Sequence, residues 1–81
     1  KMTEEQLKIL GFEQQAETSD PSFYYYTLDV VNGLSFISQA NDKVENGEWI
    51  VEIFETTPAI KFKDAKKLSN LIDILNQNKD E

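Results

Sequence analysis

The sequence predicts an α+β domain: an antiparallel β-meander of 3–5 strands, a short N-terminal helix, and a longer C-terminal helix packed on one sheet face. Two Asn-Gly pairs separate runs of alternating apolar and polar residues, a pattern typical of β-hairpins. Residues 2–12 carry the signals of a short capped helix, and residues 65–77 carry apolar side chains at helical spacing. The order helix, strands, helix indicates an α+β class.

The N-terminal helix is predicted from both of its ends. Thr3 and Gln6 have the spacing of a capping box. Gly11 is expected to end the helix in a left-handed conformation, with Phe12 folding back on Leu7. So short a helix is stable only when docked, so its apolar side chains are expected to enter the core.

The central hairpin turns at Asn32-Gly33. A two-residue turn would place Val31 opposite Leu34 and mix apolar with polar side chains on each face. A three-residue loop, with Gly33 as a bulge residue at positive φ, pairs Val30 with Leu34 and gathers the apolar side chains on one face. We therefore predict the three-residue loop.

A second Asn-Gly pair, at residues 46–47, leads into a third strand. A two-residue turn pairs Val44 with Trp49, and the same register pairs Ala40 with Ile53. Trp49 and Ile53 then lie on the core face that the first hairpin defines. The two hairpins agree on one core face, which favours a three-stranded meander.

Shorter segments complete the predicted order. Residues 41–43 are expected to interrupt the middle strand with a bend or bulge, residues 12–16 to form an edge strand, and residues 59–63 to form an outer strand. Residues 18–22, which include Asp20-Pro21, have the chemistry of a turn.

The C-terminal helix is predicted over residues 65–77, with Asp64 as its N-cap, and residues 78–81 are expected to fray. Its apolar stripe is expected to pack on the sheet. The stripe consists of Ala65, Leu68, Leu71, Ile72 and Leu75.

The chain of 81 residues is expected to form a single domain. Lys1 precedes Met2, and Met2 is interpreted as the natural first residue, with Lys1 an addition. There is no cysteine, so apolar burial alone must hold the core. No apolar run suggests a membrane span or a signal peptide, and the predicted location is cytoplasmic.

The composition excludes several functions. A formal charge of −7 argues against direct binding to nucleic acid or to an anionic membrane. Histidine and cysteine are absent, and all three glycines are explained by a cap or a turn, which leaves none for a phosphate-binding loop. We therefore predict a protein that is not an enzyme and has no cofactor, no metal and no evident small-molecule substrate.

The second face of the predicted sheet is the first candidate binding surface. On the predicted register Tyr25, Gln39 and Phe54 form one cross-strand rung, and Ile37 and Ile50 lie on the same face. A mixed aromatic and polar surface is typical of a protein-binding patch or a dimer interface. The alternative is that the N-terminal helix, or the strand after it, covers this face.

The distribution of charge gives a second candidate. Residues 1–57 hold 3 Lys and 11 acids, whereas residues 58–81 hold 5 Lys and 4 acids. Cations in the first turn of a helix are disfavoured by the helix dipole, so the cluster could mark contact with an anion or an acidic partner. Pairing with neighbouring Glu residues, combined with protection of the sheet edge, is the other interpretation. The cluster consists of Lys61, Lys63, Lys66 and Lys67.

Two function classes follow. The first is a small acidic module that binds a protein partner, or itself as a homodimer, through the second sheet face. The alternative is an acidic inhibitor or nucleic-acid mimic that engages a basic cleft of a nucleic-acid-binding protein. The composition, rich in Lys, Asn and Ile and free of Arg, is typical of small bacterial or phage proteins from AT-rich genomes. The inhibitor requires one continuous surface of carboxylates from Asp29, Asp42, Glu45, Glu48, Glu52 and Glu55.

Overall fold

A computed structural model of the chain describes residues 1–16, 19–20, 22–31 and 33–77. Five strands form one antiparallel sheet in chain order, with a helix before it and a helix after it. The predicted α+β meander is confirmed. Its elements are α1 (Glu4–Ile9), β1 (Glu13–Ala16), β2 (Tyr24–Val31), β3 (Leu34–Ser38), a 3-10 turn (Asn41–Lys43), β4 (Val51–Ile53), β5 (Lys61–Phe62) and α2 (Ala65–Gln77).

Both predicted ends of α1 are confirmed. The Thr3 amide donates to the Gln6 side chain at 2.8 Å, and the Gln6 amide donates to Thr3 Oγ1 at 3.3 Å, which completes the capping box. Gly11 has a φ of 100°, and the Phe12 amide donates to the Leu7 carbonyl at 3.0 Å. This is the Schellman arrangement, and it brings buried Phe12 back over buried Leu7.

The register of β2 and β3 is partly as predicted. Leu28 pairs with Phe36, as the three-residue loop requires. At the turn, however, Val31 rather than Val30 pairs with Leu34, so the predicted three-residue loop and its Val30–Leu34 pair are wrong. The irregularity lies between Asp29 and Val31, not at Gly33. The extra residue lies within β2 rather than in the turn. The apolar side chains of β2 and β3 therefore still share one face of the sheet.

The register of β3 and β4 departs from the prediction by four residues. Glu45 and Glu48 form an isolated bridge around the Asn-Gly turn, as a two-residue turn requires. Farther along, Ile53 pairs with Phe36, so the predicted Ala40–Ile53 pair is wrong. The 3-10 turn at residues 41–43 takes up the difference. Because side chains alternate with a period of two, a shift of four leaves Ile53 on the core face.

The C-terminal part follows the prediction except for the length of β5. The expected strand over residues 59–63 is reduced to Lys61–Phe62. Asp64 caps α2, its Oδ1 accepting from the Lys66 amide at 2.9 Å. Predictions that involve Thr18, Pro21, Asn32 and residues 78–81 lie outside the described residues.

The core occupies one face of the sheet, and both helices pack there. Buried Leu7 and Leu68 come from α1 and α2 and belong to the same apolar cluster as Tyr26 and Phe36 of the sheet. The full buried cluster is Met2, Leu7, Phe12, Tyr26, Val30, Phe36, Trp49, Val51, Leu68 and Ile72. The opposite face of the sheet is therefore not the face on which the described helices dock.

Candidate partner-binding face

The face opposite the core, here called the outer face, is organised by one rung that crosses all five strands. Each neighbouring pair in the rung is a direct cross-strand pair, from β1 through to β5. An acid and a lysine occupy its two ends, both exposed, and an isoleucine occupies its centre. This outer rung consists of Glu13, Thr27, Ile37, Glu52 and Lys61.

A second row lies on one side of the outer rung. Gln15 pairs with Tyr25, and continuing the β2–β3 register places Gln39 level with Tyr25. Gln39 Oε1 accepts from the Ile50 amide at 2.7 Å, which fixes the glutamine against the start of β4. This row therefore brings together four half-buried side chains: Gln15, Tyr25, Gln39 and Ile50.

A third row lies on the other side of the outer rung, and it corrects the predicted position of Phe54. The Phe54 amide donates to the Ser35 carbonyl at 2.9 Å, so Phe54 is level with Ser35 rather than with Gln39. The predicted rung of Tyr25, Gln39 and Phe54 is wrong in this respect, because the observed β3–β4 register differs from the predicted one by four residues.

Phe54 and Tyr25 belong to different rows, yet both side chains line one shallow depression of about 250 Å³ on the outer face. Its polar wall is a fixed pair, since Ser35 Oγ donates to Asp29 Oδ1 at 2.6 Å. Of the five predicted partner-binding residues, all lie on the outer face, with Gln39 and Ile50 at one end and Phe54 at the other.

The four clustered lysines do not form one site. Lys61 belongs to the outer rung, whereas Lys66 and Lys67 stand on α2, on the core side of the sheet. All four, including Lys63, are exposed, and none lies within 4.0 Å of a carboxylate oxygen of the described residues. The expected pairing with nearby Glu residues is therefore not seen in the described chain.

The acidic residues required by the inhibitor hypothesis separate into two groups. Asp42, Glu45 and Glu48 lie in the connection between β3 and β4, beyond the Gln39 end of the sheet. Asp29 and Glu55 lie at the opposite end, about 13 Å away along the strands. Glu52 stands between them beside Lys61. This arrangement does not favour a continuous acidic surface.

A polar contact on the core side was not anticipated from the sequence. The hydroxyl of buried Tyr26 donates to Glu4 Oε2 at 2.5 Å, joining the sheet to α1. Burial, reinforced by the bond to Glu4, raises the pKa of the Tyr26 hydroxyl. Burial and the Glu4 charge also raise the pKa of Tyr24. The group is structural in character, because it ties α1 to β2.

Sequence reasoning also missed the role of Glu13. The sequence predicts residues 12–16 only as an edge strand, yet the observed register places Glu13 at the far end of the outer rung from Lys61. The available signal was the alternation of residues 12–16, which places Glu13 on the face opposite Phe12.

No helix of the described residues is both long enough and apolar enough to cross a membrane. Comparison with protein-family profiles, with curated proteins and with solved structures found no match to this chain.

Proposed function

We propose that this chain is a small acidic cytoplasmic protein without enzymatic activity, which binds a protein partner or a second copy of itself through the outer face. The observation that carries the proposal is the placement of both helices on the core face, because it leaves five strands presenting a mixed surface on the other side. Mixed aliphatic, aromatic and polar surfaces of this kind are typical of protein interfaces.

The apolar part of the outer face supports the proposal. Ile37 and Ile50 are half-buried, and Phe54 keeps 54% of its surface exposed. Tyr25 adds an aromatic ring with a polar tip, a residue type enriched at interfaces. Covering this surface would remove apolar area from water at about 25 cal/mol per Å².

The polar part supports it as well, because its side chains are already held in place. Gln15 Nε2 donates to Thr27 Oγ1 at 3.2 Å, and Ser35 Oγ donates to Asp29 at 2.6 Å. Groups fixed in the free protein lose less side-chain entropy when a partner binds.

The chemistry of the depression supports binding rather than catalysis. Asp29 is its only carboxylate among the described lining residues, and its Oδ1 is occupied by the Ser35 hydroxyl. General acid–base hydrolysis needs a second acid or base within reach of the same substrate atom.

The test compares proteins captured from a lysate of the source organism by the wild type and by Tyr25→Ala and Phe54→Ala. We expect both variants to weaken capture while leaving the thermal midpoint nearly unchanged. Ile74→Ala is the matched control, because Ile74 also keeps 54% of its surface exposed but lies on α2.

Two results would contradict the proposal. Capture that the outer-face variants leave intact would place the binding surface elsewhere. A fall of several degrees in the midpoint of either variant would assign that side chain to the folded core instead.

A further inference from the structure

We infer that the occupant of the outer face is a second copy of this chain, bound face to face about a two-fold axis that runs parallel to β3. The inference rests on the proposed function, because it names the partner of the same surface. Two antiparallel sheets commonly pack face to face with their strands nearly aligned and about 10 Å apart.

The outer rung is complementary in charge to its own reversed copy. Strands are spaced by about 4.8 Å, so Glu13 and Lys61 lie about 10 Å on either side of Ile37. A two-fold axis along β3 reverses the order of the strands in the second copy. Glu13 of each chain then faces Lys61 of the other, and the two copies of Ile37 meet at the centre.

The other aligned two-fold arrangement is unfavourable. An axis parallel to the rung would stack each residue on its own copy, so Glu13, Glu52 and Lys61 would each face a like charge. Like charges that face each other across an interface cost several kcal/mol and suppress that arrangement. Charge therefore selects the axis along β3.

Two further pairs of positions agree with this choice. In the second row, Tyr25 on β2 and Ile50 beside β4 lie on opposite sides of Gln39, so the same axis packs the ring of one chain on the isoleucine of the other.

In the outer rung, Glu52 faces Thr27 of the second copy. Thr27 Oγ1 accepts from Gln15 within its own chain, so its O–H can donate to that carboxylate.

The expected association is reversible. The outer face is about 19 Å wide and about 17 Å long, a flat area of about 320 Å² per chain, which is well below the roughly 800 Å² per partner of a standard interface, so the contact is expected to be weak. Each chain also carries a formal charge of −7, so long-range repulsion opposes the dimer at low salt. Measurements belong at about 0.15 M salt, where the Debye length is about 8 Å.

The test is analytical ultracentrifugation of the wild type and of two charge-reversal variants. The wild type is expected to shift from monomer towards dimer as its concentration rises. Glu13→Lys and Lys61→Glu, each alone, should raise the apparent dissociation constant at least tenfold. An equimolar mixture of the two variants should restore dimerisation, because in the mixed dimer both end pairs again carry opposite charges.

Controls on α2 separate this effect from a change in net charge. Asp73→Lys and Lys67→Glu make the same changes in charge at exposed positions on the core side, and we expect both to dimerise like the wild type.

Two results would overturn the inference: a wild type that stays monomeric up to millimolar concentration, or single variants that the mixture does not rescue. Neither would count against the proposed function, which the capture experiment tests with other variants.

Discussion

Removing the Tyr26 hydroxyl measures how much the hydrogen bond between α1 and the sheet contributes to stability. Tyr26→Phe deletes a 2.5 Å hydrogen bond to a carboxylate and leaves the ring contact with Trp49 in place. Hydrogen bonds to charged groups contribute about 1.5–3 kcal/mol. Glu4 is only half-buried and regains water in the variant, so we expect a loss of about 1–2 kcal/mol.

The same hydrogen bond makes the free energy of unfolding depend on pH in the alkaline range. The pKa of Tyr26 is raised in the folded chain, whereas an unfolded tyrosine ionises near pH 10. Above that pH the unfolded state binds fewer protons than the folded state, so the free energy of unfolding falls as pH rises. The contribution is fully present below about pH 10 and is lost as pH rises towards the folded pKa. In the Tyr26→Phe variant the free energy of unfolding should fall less steeply as pH rises above about 10.

Urea unfolding at pH 7 and at a series of values above pH 9 measures both effects. At pH 7 the thermal midpoint should also fall, by about 4–8 °C per kcal/mol for a chain of this size. Tyr25→Phe is the control, because its hydroxyl makes no hydrogen bond within the described residues and lies on the outer face. A Tyr26→Phe variant within about 0.5 kcal/mol of the wild type, with an unchanged alkaline decline, would refute this account.

Two further changes test other parts of the fold. Ser38→Ala removes the hydroxyl that accepts from the Tyr26 amide at 2.9 Å. Because a buried amide then loses its partner, the free energy of unfolding in urea should fall by about 1–3 kcal/mol. Ser35→Ala, on the outer face, is the control and should lower it by less. Asp64→Ala removes the acceptor for the first-turn amides of α2 and should cost about 0.5–2 kcal/mol, with reduced helical circular dichroism; an unchanged midpoint would show that the sheet alone fixes the start of α2.

Local signals predicted the helix ends well because each end depends on a few neighbouring side chains. Thr3 with Gln6, and Gly11 with Phe12, act within one turn of α1. Strand register is different, since a 3-10 turn at residues 41–43 changes pairing far from itself. The sequence indicated an interruption there but carried no measure of how many residues it would absorb.

The sequence predicts the face of the sheet on which a side chain lies better than it predicts the residues that pair across strands. Alternation assigns Tyr25, Ile37 and Phe54 to the outer face whatever even shift the turn introduces. Which of them share a row depends on the shift itself, and so Phe54 was expected beside Gln39 rather than Ser35. The end-to-end charge pattern of the outer rung depends on four strand registers at once, which no local signal supplies.

The fluorescence of the single tryptophan reports on the core face of the sheet and not on the outer face. Trp49 stacks on Tyr24 at 6.3 Å and meets Tyr26 edge-on at 5.4 Å, all within the core side. Its emission should therefore change when α1 detaches or the core opens, and should stay constant while the outer face is covered or bare. Fluorescence and ultracentrifugation would thus follow folding and association as two separate signals from the same sample.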